Sequence, residues 1–181
     1  MKRLLFAVLA LAIGVLPVAA QGAQETVVLV RHAEKAAAPA DDPPLSAAGE
    51  ARARDLLAAL RDAGVSAVIT TQFARTRATA QPTASALGLA PTVVAATNAS
   101  HIQDVVAEIH KHRGKTVLVV GHSNTVPAIV EALGAKRPNA ICDASYDDMF
   151  VVTIAGDGTA TAVHAKYGAP SPRDSTCGAM R

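Results

Sequence analysis

Thr26-Val27-Val28-Leu29-Val30-Arg31-His32-Ala33-Glu34-Lys35 decides the fold. Five β-branched or apolar residues run without alternation and stop at an Arg-His pair. An unbroken apolar run this short reads as a strand buried on both faces, in the middle of a parallel sheet with helices on either side. In open sheets of that kind, ligands bind beyond the carboxyl ends of the strands. The segment therefore sets a guanidinium and an imidazole where a ligand is expected. A merely solvated strand end would carry the same residue types, so the reading needs support from the rest of the chain.

That support comes from repetition. Ser46 is a good N-cap, and Ala53, Leu56, Leu57 and Leu60 recur at helical spacing until Gly64. Val65 to Thr70 is a second short strand, and Arg75-Thr76-Arg77 follow its end. A helix runs from there to Leu87, disturbed by Pro82 and closed by Gly88. Thr92 to Ala95 is a third strand. Ile102, Val105, Val106 and Ile109 fall at i, i+3, i+4 and i+7, an amphipathic helix whose last turn is crowded with positive charge. Thr116 to Val120 is the second wholly apolar run, and it ends in Gly121-His122-Ser123-Asn124. A helix with Pro127 in its first turn comes next. Phe150 to Ile154 and Ala160 to His164 are strands separated by Gly156-Asp157-Gly158, a hairpin pattern. The order predicts an α/β fold, mostly parallel with an antiparallel edge.

The 181 residues suit one domain with a sizeable core. Aromatic residues make up only 3% and Trp is absent, which disfavours a nucleic-acid stacking platform. Lys2-Arg3, the apolar run Leu4 to Leu16 and the small residues Val18-Ala19-Ala20 read as a signal peptide over residues 1–20, cleaved before Gln21. The apolar run is short for a spanning helix, so no membrane span is expected after cleavage. Residues 21–181 then form a single domain, secreted or periplasmic. Losing Lys2 and Arg3 leaves 15 basic against 15 acidic residues, so net charge gives no argument for nucleic-acid binding. Cys142 and Cys177 could form a bridge in an oxidising compartment, adding about 3–4 kcal/mol on the chain-entropy model, or remain two free thiols.

Three strand ends carry Arg31-His32, Arg75-Thr76-Arg77 and His122. If these strands are neighbours, two guanidiniums and two imidazoles converge, and such a pocket calls for a compact anion. Phosphate fits, because the planar guanidinium fork donates two parallel hydrogen bonds to its oxygens. One neutral His can attack phosphorus, and the other can donate to the oxygens as charge develops.

Arg31-His32-Ala33-Glu34-Lys35 resembles the Arg-His-Gly motif of the histidine phosphatase superfamily, with Ala33 in place of the usual Gly. Leu45-Ser46-Ala47-Ala48-Gly49 resembles that family's Leu-Thr-x-x-Gly segment. Arg75-Thr76 with Thr79-Ala80 resembles its second-arginine motif, and Gly121-His122 its second-histidine motif. The match runs from about Glu25 to about Ile154. The resemblance implies a three-layer α/β/α sandwich of the phosphoglycerate mutase-like kind. It implies a phosphomonoesterase working through a phosphohistidine on His32, with Arg31, Arg75 and His122 holding the phosphate. It implies no metal or cofactor, and a small phosphorylated substrate.

Many members carry an acid after the second-arginine motif, and none stands in place here. His101, Asp104 and Glu34 are the candidate proton donors; Asp104 also fits a solvated helix face, and Glu34 a pairing with Lys35 or solvent. An antiparallel fifth strand would bring Tyr146, Asp147 and Asp148 to the mouth. Without a strong acid, good leaving groups are expected over alkyl esters. Two readings compete. Gly121-His122-Ser123-Asn124-Thr125 resembles the nucleophile elbow of an esterase, with Asp143, Asp147 or Asp157 and then His164 as partners. A non-catalytic phosphate-ligand binder could use the same pocket. His110 and His112, two apart on a helix, point in different directions and make a poor metal site.

Overall fold

A computed structural model describes residues 23–172. The expected signal peptide, residues 1–20, and Cys177 lie outside the described residues. The chain order is β1 (Glu25–Arg31), α1 (Ala47–Leu60), β2 (Val65–Thr70), α2 (Ala74–Ala86), β3 (Thr92–Val93), α3 (His101–His110), β4 (Thr116–Gly121), α4 (Val126–Ala132), β5 (Asp148–Ile154) and β6 (Ala160–Lys166). The six strands form one sheet in the order β3-β2-β4-β1-β5-β6. Strands β1 to β4 are mutually parallel, β5 is antiparallel to β1, and β6 is antiparallel to β5. This is the expected mixed α/β fold.

Alternate residues of the two apolar runs explain the layers. Val27, Leu29, Val117 and Val119 face a core shared with Val105 and Ile109 of α3 and with Val126, Ile129 and Val130 of α4. Val28, Val30, Leu118 and Val120 face the other core, with Leu56 and Leu60 of α1 and Ala80 and Ala84 of α2. Helices thus cover both faces, which is why β1 and β4 lack polar alternation. Each fully buried Val or Leu contributes about 1.5–3 kcal/mol of transfer free energy.

Three expectations change. Helix α2 begins at Ala74, so Arg75 and Thr76 lie in its first turn and not in the preceding loop. Phe73 supplies no side-chain cap; the Asp42 carboxylate, from the loop after β1, accepts from the Ala74 N–H instead, at 2.9 and 3.0 Å. Strand β3 shrinks to Thr92–Val93, both exposed at the sheet edge. Strands β5 and β6 are longer than the apolar pattern indicates, because Asp148 pairs with Lys166 across the ladder. Among the described residues no helix is long and apolar enough to cross a membrane.

Candidate active site

The parallel register sets Arg31 of β1 opposite Gly121 of β4, and the His32 N–H donates to the Gly121 carbonyl at 2.9 Å. The two chains therefore leave the sheet together, and the residues after them meet. The rings of His32 and His122 lie 5.4 Å apart, centroid to centroid, edge to face. On the other side of β4, β2 ends at Thr70, so Thr71 and the first turn of α2 close the same corner.

His32 is buried, and its Nδ1 lies 2.8 Å from the Ala33 carbonyl. A carbonyl only accepts, so Nδ1 carries the proton and Nε2 keeps its lone pair. Burial lowers the His32 pKa to about 4; Arg31, Arg75 and Lys35 push the same way, while the Ala33 hydrogen bond opposes. Burial lowers that of His122 to about 3, helped by His32, Arg75, His101 and Arg31. Both imidazoles are neutral near pH 7, so the empty pocket avoids the repulsion that four cations would produce. Ala33 takes the Gly position of the motif without strain. Its side chain is buried with Leu45 and Ala53, and its N–H donates to the Thr79 Oγ1 at 2.9 Å.

The two guanidiniums are held differently. Arg31 donates from one nitrogen, Nη1, to the carbonyls of Cys142, Asp143 and Ser145 at 2.8, 2.8 and 3.0 Å. Its Nε is buried with no partner, a donor that an anion's oxygen would satisfy. Arg75 Nη1 sits 3.6 Å from Asp42. Each also lies over an aromatic ring at 4.2 Å: Arg31 over Tyr146, and Arg75 over Phe73. Tyr146 is 6.2 Å from the His32 ring and Phe73 5.4 Å from the His122 ring. The site is thus two Arg-His pairs, each walled by one aromatic residue, in a chain with few aromatics.

The candidate proton donors are mostly engaged. Glu34 is bound by Arg52, whose Nε and Nη2 reach it at 2.7 to 3.0 Å, and not by Lys35 or solvent. Burial pushes the Glu34 carboxyl up, but the Arg52 hydrogen bonds outweigh it and the net shift is downward, which suits a structural anion and not a proton carrier. Arg52 also donates to the carbonyls of Tyr167 and Ala169. Asp104 accepts from the Ser100 hydroxyl at 2.8 Å. His101 is buried; its Nδ1–H donates to the Ala95 carbonyl at 3.1 Å and its Nε2 has no partner. Burial lowers its pKa, which favours the neutral ring. Strand β5 does start on the catalytic side, but only Tyr146 stays at the mouth. Asp147 and Asp148 are both taken by Lys166, and Asp148 also by His164.

Sequence reasoning did not reach Phe73, Asp42, Arg52, or Thr71 and Thr76 behind His122. Thr71, at a strand end, and Thr76, within the second-arginine motif, carry a positional hint. The esterase alternative fits poorly, because β4, before Ser123, and β6, with His164, are separated by β1 and β5. Three strand spacings amount to about 14 Å, beyond hydrogen-bond reach. A hollow of about 330 Å³ lined by Glu25, His110 and Arg113 opens at the far end of β1, away from this site. Among the described residues no cluster of three or more His, Cys, Asp or Glu is arranged to hold a metal.

The family model of the histidine phosphatase superfamily (branch 1) matches residues 27–98, which include Arg31, His32 and Arg75. Over those residues the chain is similar to the histidine phosphatase superfamily. His122 lies beyond the matched span, and there similarity of fold continues the comparison. The protein histidine phosphatase SixA, solved with tungstate, superposes with a TM-score of 0.62 at 21% identity, covering 78% of this chain and 96% of its own. A candidate phosphohistidine phosphatase SixA from Nakamurella multipartitia gives 0.59 at 25% identity, covering 83% and 98%. A mycobacterial glucosyl-3-phosphoglycerate phosphatase gives 0.61 at 14% identity, covering 81% and 99%. No curated protein matches by sequence. The chain thus spans nearly the whole length of those solved structures.

Proposed function

We propose that this chain is an exported phosphomonoesterase that works through a phosphohistidine on His32. The observation that carries the proposal is the fixed tautomer of His32. Its Nδ1–H is spent on the Ala33 carbonyl, so the Nε2 lone pair is free beside Arg31, Arg75 and His122. In the first step Nε2 attacks phosphorus, and the bond to the leaving group breaks with its electron pair. In the second, water attacks the phosphohistidine, phosphate departs, and the Nε2 lone pair returns. The two guanidiniums offset the dianion, and His122 donates to an equatorial oxygen.

The engaged carboxylates support a substrate whose leaving group departs without an enzyme proton. Aryl phosphates and phosphorylated imidazoles meet that condition, and simple alkyl esters do not. The likeness to SixA structures described as histidine phosphatases supports the same class. Export is supported by the apolar segment Leu4 to Leu16 and by Cys142, which is disulfide-bonded.

The test is chemical trapping. The purified mature chain is mixed with labelled aryl phosphate and quenched in alkali. Label stable to base and lost in acid is expected on His32 and absent from His32→Ala. Aryl phosphate turnover should exceed that of a sugar phosphate by about a hundredfold, the range a general acid would otherwise supply. Equal rates would refute the leaving-group claim. Label on Ser123, or tight binding with no turnover, would refute the mechanism.

A further inference from the structure

We propose that Thr71, backed by Thr76, is a positioning residue that fixes which nitrogen of His122 carries the proton, so that Nδ1 becomes a donor only when a phosphoryl group is bound. The inference rests on the phosphatase reading above and concerns the ring that this reading uses as a hydrogen-bond donor.

The direction of the hydrogen bonds follows from which atoms can donate. Thr76 Oγ1 lies 2.9 Å from the Phe73 carbonyl and 3.1 Å from the Thr71 carbonyl. Both oxygens only accept, so the single Thr76 hydroxyl proton points to them. Thr76 Oγ1 then serves as acceptor for the Thr71 hydroxyl, 2.9 Å away. With its proton spent there, Thr71 Oγ1 presents a lone pair to His122 Nε2 at 3.1 Å. Nε2 must be the protonated nitrogen. Thr71 and Thr76 are buried, so no solvent breaks into the chain. A neutral ring held this way leaves Nδ1 bare.

A bare Nδ1 suits the empty pocket and not an occupied one. His32 and Arg31 from the end of β1, Arg75 from α2 and His101 from α3 are the groups around His122, and each opposes a charge on it. A bound phosphoryl dianion reverses that field. Nδ1 then takes up a proton from the substrate monoanion or from solvent, and the imidazolium donates to phosphate through Nδ1 and to Thr71 through Nε2. The Thr71 acceptor stabilises that charged form, because a hydrogen bond to the protonated state favours it.

The experiment reads the tautomer directly. Ring ¹⁵N shifts of His122 are measured in the full mature chain, free and saturated with inorganic phosphate. The free protein should show a protonated Nε2 and a bare Nδ1, and phosphate should protonate both. Thr71→Val should lose the Nε2 preference, and Thr71→Ser should keep it. In kcat/KM, Thr71→Val should fall about 10- to 100-fold, as loss of a partner that orients an imidazole does, with its alkaline limb moved to lower pH. Thr71→Ser should restore both. An Nδ1-protonated ring in the free protein overturns the proposal. So does a Thr71→Val chain with unchanged tautomer and unchanged pH profile, however weak its activity. The tautomer needs no turnover to be seen, so failure of the phosphohistidine mechanism and failure of this proposal give different results.

Discussion

At the scale of single residues, the pocket's chemistry is written into two imidazoles that stay neutral. Unfolded histidine titrates near 6.5, whereas burial holds His32 at about 4 and His122 at about 3. Below pH 6.5 the unfolded chain binds protons that the folded pocket refuses, so stability falls as pH drops from 6.5 toward 4. At pH 4 the His32 contribution alone is on the order of 3 kcal/mol. Urea unfolding across pH 7 to 4 should show this decline, and His32→Gln should make it shallower, leaving the His122 share. Glu34 gives a second expectation. Arg52 is only 4% exposed, so removing its counter-ion strands a buried charge. Glu34→Gln should lower stability by about 3 kcal/mol while the preference for aryl over alkyl leaving groups stays as in the parent. A change in that preference would make Glu34 a proton donor after all.

At the scale of elements, the site is assembled by contacts between segments distant in sequence, and this governs what could be read beforehand. The bounds of β2, Val65–Thr70, are those the sequence predicts, because Gly64 and a polar cluster frame a short apolar run. Helices α1 and α3 were legible from Ser46 and from the Ile102-Val105-Val106-Ile109 spacing. The start of α2 was not, because its N-terminal group is satisfied by Asp42, 32 residues earlier. Asp42→Ala should therefore cost about 1 kcal/mol and raise KM, since Arg75 loses the carboxylate beside it. The meeting of His32 and His122 was legible, because two parallel neighbours that end in register bring their following residues together. The partners of Arg31 and Glu34 were not, since they depend on where the 142–145 loop and α1 settle. Gly49 shows how tight that settling is: a Cβ there would stand 2.1 Å from the Glu34 carbonyl oxygen. Gly49→Ala should destabilise by about 2 kcal/mol and, by displacing Glu34, loosen Arg52 as well; thermal unfolding and kcat/KM together would show both.

For the whole molecule, the layered sheet separates stability from chemistry. The two apolar cores on either face hold the strands, and the reactive groups sit at one end of them. The chain's formal net charge is only +2, so attraction for the substrate is local to Arg31 and Arg75 and not a field of the entire surface. Arg31, in turn, is only as well placed as the three carbonyls it grips, and one of them belongs to Cys142, a residue locked in a disulfide. Thiol treatment should therefore raise KM several-fold and lower the melting temperature by the share of stability the bridge contributes, about 3–4 kcal/mol. Affinity for the phosphorylated ligand would then track the electron supply outside the protein: firm where thiols are scarce, slack where glutathione abounds.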